Sequence, residues 1–250
     1  MDRSILISRC DMTSCGKDLC ACKSCGKLLC MSRIPLLSNL DEFELGKISD
    51  GVVVKDYKKG QTIFNSGDKA DRLYIVCEGD IKVIKNSIEG KEQILYILSK
   101  GDFIGAFNLL KEDEFEFSAI ALENVRVSTL AKEEFNKIII KNPTITLKVL
   151  EKAYERINKV EQLVDRLSAG SVNAKVSALL LNMVKDFGKI SEKGILLELS
   201  INREEMGSLS GISRETMTRK LKLFEELDII ELVGNKKIIV KKLSELRDLT

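Results

Sequence analysis

The chain has 250 residues, 44% of them hydrophobic and 31% charged, which is the composition of a soluble globular protein of about two domains. Its formal charge of +2 is nearly neutral, so any affinity for nucleic acid must come from local patches and not from bulk charge. There is no histidine, which excludes Ser-His-Asp and Cys-His catalysis, histidine-bearing zinc sites and histidine-ligated haem.

No apolar run approaches the roughly 20 residues that span a bilayer. The N-terminal ILIS is too short for the core of a signal peptide. The expected location is therefore cytoplasmic, with no membrane partner. Residues 1–35 form a cysteine-rich segment, with six of the seven cysteines within the first 30 residues. Its centre, CACKSCGKLLC, spaces Cys20, Cys22, Cys25 and Cys30 as C-x-C-x2-C-x4-C, and Cys15 lies just before them. Small and polar residues between close thiolates let the backbone wrap a metal centre. With no histidine the ligand set is all thiolate, which suits an iron–sulfur cluster or a zinc held by four cysteines. Lys17, Lys23 and Lys27 would lower the thiol pKa values. A disulfide-bearing tail is the other reading of the same residues.

Residues 36–142 change character. Short β-rich runs (VVVKDY, QTIF, RLYIV, DIKVIK, QILYIL, DFIG, FSAIAL, VRVSTL) are punctuated by Gly60, Gly67, Gly79, Gly90 and Gly101. This is the pattern of an antiparallel sandwich or barrel. Leu73 and Ile75 alternate with Tyr74 and Val76 across a strand, and Cys77 continues the Leu73 face as a small buried residue. A short helix over 132–142 is stopped by Pro143.

The next helix occupies residues 143–170. Leu147, Leu150, Tyr154, Ile157, Val160, Val164 and Leu167 recur at steps of three and four, a stripe that suits a twin helix or packing on the chain's own barrel. Residues 171–250 form the last domain. An amphipathic helix over 174–187 and a strand over 195–199 precede NREEMGSLSG, which reads as a short helix capped by Asn202 with Glu205 and ended by Gly211. Ser213 then caps a second helix through ISRETMTRKLKLFEE. Two short helices about a glycine turn make a helix-turn-helix, whose second helix enters the major groove of DNA. An Arg fork can grip guanine, a carboxylate can accept from cytosine, and a Thr methyl can meet a thymine methyl. DIIELV, Gly234-Asn235 and KKIIVKKL form a hairpin wing, with Lys236, Lys237, Lys241 and Lys242 placed to reach phosphates.

The whole order resembles the CRP/FNR superfamily of bacterial transcription factors over residues 20–247. The resemblance rests on GQTIFNSGDKADRLYIVCEGDIKV, GDFIG and SRETMTRKL. It implies an α+β chain: a cysteine-rich segment, a cyclic-nucleotide-binding-like β-barrel (jelly roll), a long dimerisation helix and a C-terminal winged helix-turn-helix. It implies a homodimer on double-stranded DNA, at an inverted repeat of TGA-containing half-sites, acting with RNA polymerase and not as an enzyme. Arg214, Glu215 and Arg219 match the half-site-reading positions, and Thr218 matches a base-reading position of the FNR branch.

The cyclic-AMP branch of that superfamily carries a ribose-binding Glu and a phosphate-binding Arg-Ser pair. Here Ala106 and Phe117-Ser118 stand in those places, so no cyclic-nucleotide site is expected. The FNR branch takes three cluster ligands from the N-terminus, matching Cys22, Cys25 and Cys30, and a fourth from a barrel strand, where this chain has Ser128. Cys20 is therefore the expected fourth ligand of a [4Fe–4S] cluster, with Cys15 as the alternative. Zinc, or no metal and a thiol-disulfide switch, are the competing states on the same scaffold, and an iron–sulfur electron carrier or metalloenzyme is the alternative of another class.

Overall fold

The computed structural model describes residues 51–86, 92–106, 109, 113–168 and 170–249. The expected metal ligands Cys15, Cys20, Cys22, Cys25 and Cys30, the first 50 residues and the Gly90 turn lie outside the described residues. Each of the eight β-rich runs contains one strand: β1 (Val52–Tyr57), β2 (Thr62–Phe64), β3 (Arg72–Glu78), β4 (Ile81–Asn86), β5 (Glu92–Leu98), β6 (Phe103–Ile104), β7 (Ser118–Ala121) and β8 (Val125–Ala131). They pair antiparallel in two four-stranded sheets, in the orders β1-β8-β3-β6 and β2-β7-β4-β5. Non-sequential neighbours of this kind make the antiparallel sandwich expected from the spacing of the turns, in the jelly-roll arrangement that the resemblance implies. Gly79 and Gly105 hold positive φ where an added Cβ would strike backbone carbonyl oxygens, so these two turns require glycine.

The alternation in β3 is real, but both of its faces are covered. Leu73 and Ile75 pack with Phe135, Ile138, Ile145 and Val149 beneath two helices, while Val76 joins Val83, Tyr96 and Val127 between the sheets. Cys77 sits on the side of Ser128, with the two side-chain atoms 3.0 Å apart. It is half-buried and not buried as the alternation predicts, because a β-bulge between Val76 and Glu78 marks the end of regular pairing there.

Helix α1 (Lys132–Lys141) ends at Asn142, and Pro143 is the first residue of α2 (Pro143–Ser168). Proline suits that position, since its missing N–H would have no helical partner. One side of α2 is fixed to the barrel. Ile145, Val149 and Leu163 are buried. Lys152 pairs with Asp102 at 3.4 Å, and Arg156 donates to the Phe103 carbonyl and lies 5.5 Å from the Tyr96 ring. Burial raises the pKa of Tyr96, the nearby guanidinium opposing it. The opposite side of α2 carries Leu147, Leu150, Tyr154, Ile157, Val160, Val164 and Leu167, and every one of the seven is exposed.

The last domain comprises α3 (Val172–Phe187), β9 (Gly188–Ser191), β10 (Gly194–Glu198), α4 (Arg203–Ser210), α5 (Arg214–Glu226), β11 (Ile230–Val233), β12 (Lys237–Val240) and α6 (Leu243–Asp248). The hairpin wing is present, but as half of a four-stranded sheet in the order β11-β12-β10-β9. Its core does not stop at the domain. Ile84, Ile94 and Leu122 of the barrel are buried in one cluster with Val176, Leu180, Met206 and Leu221. Each such fully buried aliphatic side chain contributes roughly 1.5–3 kcal/mol. The last domain therefore covers the outer face of the β2-β7-β4-β5 sheet along β4, β5 and the end of β7.

Candidate nucleic-acid interface

The two helices of the motif start where the sequence says they must. The Asn202 side chain accepts from the backbone of Glu204 and Glu205, and the Glu205 carboxylate accepts from the Asn202 amide, a complete capping box. Gly211 closes α4 in the left-handed conformation at φ 64°. Gly207 lies under the turn, where an added Cβ would stand 2.6 Å from the Ile212 carbonyl oxygen, so the close approach of the two helices depends on it. The Ser213 hydroxyl accepts from Thr216 at 3.1 Å to start α5.

Met217, Leu221 and Phe224 anchor α5 in the core with no measurable exposure. That anchor fixes what points outward. Arg214, Glu215 and Arg219 are exposed, Thr218 is half-buried beside them, and all four line one shallow surface together with Lys220, Lys222, Leu223 and Glu226. The structure thus brings together the four residues expected to read bases. Thr218 donates its hydroxyl to the Arg214 carbonyl at 2.8 Å. With the hydroxyl engaged in the helix, the methyl is the group left for a partner. Glu226 extends the same face and was not picked out from sequence, although its spacing of four beyond Lys222 carries that signal.

The wing lysines are less equivalent than their sequence suggests. Lys237 pairs with Glu198 at 2.7 Å and Lys189 pairs with the same carboxylate at 2.9 Å, which holds the Glu198 pKa down to about 2. Lys241 bridges Asp228 and Glu231 at 3.0 and 3.4 Å, and Lys242 meets Glu245 at 3.3 Å. Lys236 makes no ion pair among the described residues, and it sits in the turn beside Gly234 and Asn235. It is the wing cation best placed for a phosphate. At the other end of the wing, the Leu232 amide donates to the Glu225 carboxylate at 2.8 Å, tying β11 to α5. No group of three or more potential metal ligands occurs among the described residues.

Comparison with known proteins agrees with this geometry in both the barrel and the last domain. Residues 54–142 match the family model of the cyclic nucleotide-binding domain, and residues 174–249 match that of the Crp-like helix-turn-helix domain. The cAMP-activated global transcriptional regulator CRP of Salmonella typhimurium is 29% identical over 188 residues, covering 75% of this chain and 89% of the relative. The chain belongs to the CRP/FNR family of transcription regulators.

The global nitrogen regulator of Synechococcus elongatus is 27% identical over 208 residues, 82% of this chain and 92% of that protein. Among solved folds, FixK2 from Bradyrhizobium japonicum superposes with a TM-score of 0.70 at 20% identity, covering 79% of this chain and 96% of that one. A CooA mutant from Carboxydothermus hydrogenoformans gives 0.74 at 20% identity, over 86% of this chain and 94% of that one. As a CRP/FNR protein the chain is a DNA-binding transcription regulator and not an enzyme. No helix among its described residues is long and apolar enough to cross a membrane.

Proposed function

We propose that this CRP/FNR protein acts as a homodimer on inverted repeats of TGA-containing half-sites, works with RNA polymerase, and senses oxygen, nitric oxide or redox state through a [4Fe–4S] cluster at its N-terminus. The observation that carries the DNA half is the pairing of two exposed surfaces: the Arg214, Glu215, Thr218 and Arg219 face, and the seven-residue apolar stripe on α2. A twin α2 laid along that stripe would bury it and space two reading helices about one turn of DNA apart.

The cluster half rests on the donor set. Cys20, Cys22, Cys25 and Cys30, with Cys15 as the alternative to Cys20, are thiolates at cluster spacing in a chain without histidine. A cluster bound there would supply an oxidant-labile centre. Its loss would shift the population away from the DNA-competent state, by no more than the differential stability it supplies. Protein purified without air is expected to be brown, with about four iron and four sulfide per chain, and to bleach in oxygen. Cys22→Ser, Cys25→Ser and Cys30→Ser should each lose the colour. Stoichiometric zinc without iron would replace this reading by a structural site, and metal-free protein with oxidisable thiols by a thiol-disulfide switch.

The Salmonella relative is cAMP-activated by name, and the residues of the barrel here support the expectation that this chain does not take that ligand. Ala106 is fully buried among apolar side chains. Phe64 and Phe115 stack at 3.9 Å between the sheets, and Phe117 packs 5.8 Å from Phe115. Ser118 accepts from the Ser66 amide at 2.9 Å. A cyclic phosphate set among these rings would meet apolar side chains where the cyclic-AMP branch has an arginine, and its desolvation would be costly. Calorimetric titration with cyclic AMP and cyclic GMP is expected to show no saturable binding at micromolar concentrations. Saturation would mean that another residue supplies the charge.

A further inference from the structure

Among the described residues β5 is the edge strand of its sheet, and the backbone groups along its outer side pair with no described strand. The first helix of the DNA-binding motif takes that place. The Ser208 hydroxyl accepts from the Ile94 amide at 2.9 Å and donates to the Glu92 carbonyl at 2.9 Å. The Gln93 side chain donates to the Ser208 carbonyl at 2.5 Å. Beside these bonds, Lys82 of β4 lies 2.6 Å from Glu92 and 3.6 Å from Glu205, with its side chain only 14% exposed. The Glu205 carboxylate also completes the cap of α4. The contact engages α4 and leaves the reading face of α5 uncovered.

We infer that Ser208, Gln93 and Lys82 form a latch that holds the DNA-binding domain on its own barrel in a DNA-competent orientation. Movement of the β4–β5 pair then reaches the helix-turn-helix directly, without passing through α2. The assignment goes beyond the sensing reading and is independent of what the N-terminal segment binds. An undocked domain would expose Ile84, Ile94 and Leu122 and would have to be re-oriented when it binds DNA, so the competent fraction and the apparent affinity fall together.

Two variants of the full chain, with Lys82→Arg as their control, test the latch. Ser208→Ala removes both hydroxyl bonds, and Lys82→Glu sets a third carboxylate beside Glu92 and Glu205. Both are expected to speed hydrogen exchange at the Ile94 amide by roughly tenfold or more, since that amide's bond is to the hydroxyl. Small-angle scattering should show a larger radius of gyration for Lys82→Glu, while Lys82→Arg, which keeps the cation, should behave as the unaltered chain. On an inverted repeat of TGA half-sites, affinity should fall about tenfold in the first two variants. Unchanged exchange and scattering would overturn the latch. A rise in affinity would overturn its assigned direction, making it an inhibitory contact. Exchange and scattering need no DNA, so failure of the unaltered chain to bind the probe would count against the half-site alone.

Discussion

Val164→Asp is expected to separate the two protomers and abolish operator binding while leaving each chain folded. In a single chain Val164 is 55% exposed, so a carboxylate there stays in water and costs the monomer little. In a dimer built on the α2 stripe the same carboxylate would be carried into a seam lined by Ile157, Val160 and Leu167. By two-fold symmetry each dimer would take in two such charges. Desolvating them without partners should cost about 4 kcal/mol in all, roughly a thousandfold in the association constant. Sedimentation velocity gives the oligomeric state, and circular dichroism checks the fold of the chain. A Val164→Asp protein that remains a tight dimer with full operator affinity would show that the stripe is not the seam.

Arg219→Ala is expected to lower affinity for the cognate repeat on the order of ten- to a hundred-fold. It should also relax the preference at one base pair of each half-site, because a bidentate Arg–guanine contact is worth roughly 1–3 kcal/mol of discrimination. Arg219 stands one turn beyond Glu215, and both are exposed on a helix whose buried Met217 and Leu221 leave it little freedom to rotate. Lys236→Ala provides the contrast. Lys236 has no acidic partner among the described residues, so its removal should weaken cognate and scrambled DNA alike and flatten the salt dependence by about one unit. Lys237→Ala should do less, since Glu198 already holds that ammonium. Titrations of both DNAs at two salt concentrations decide the matter. Equal losses on both DNAs for Arg219→Ala would place that residue on a phosphate.

Much of this was legible because the signals are local. Asn202, Glu205, Gly211 and Ser213 act within one helical turn of themselves, so the boundaries of α4 and α5 could be read directly. The eight strands announced themselves through runs of apolar residues between glycines. The unread features depend on residues far apart in the chain. Nothing near Ser208 says that its hydroxyl meets Ile94, 114 positions away. Nothing near Lys237 says that Glu198 neutralises it. Strand β9 has only partial apolar character and pairs through β10, and the short helix α6 is held by Leu246 against the domain core, so neither stood out. The half-burial of Cys77 followed from a bulge, which the period of two cannot show.

The bond between the Leu232 amide and the Glu225 carboxylate has a consequence for how a site is measured. Together with the Ile229 amide, which donates to the Phe224 carbonyl at 3.0 Å, it welds the reading helix to the wing. The separation of the α5 and β11 backbones is then set by the protein, and the exposed Arg219 and Lys236 side chains reach out from that fixed base. One base pair inserted between the bases that α5 would read and the phosphate that the wing would meet would shift the two ends out of step by about 3.4 Å along the strand. On the proposed reading, two backbones held at a set separation would accept or refuse each half-site as a unit of set length.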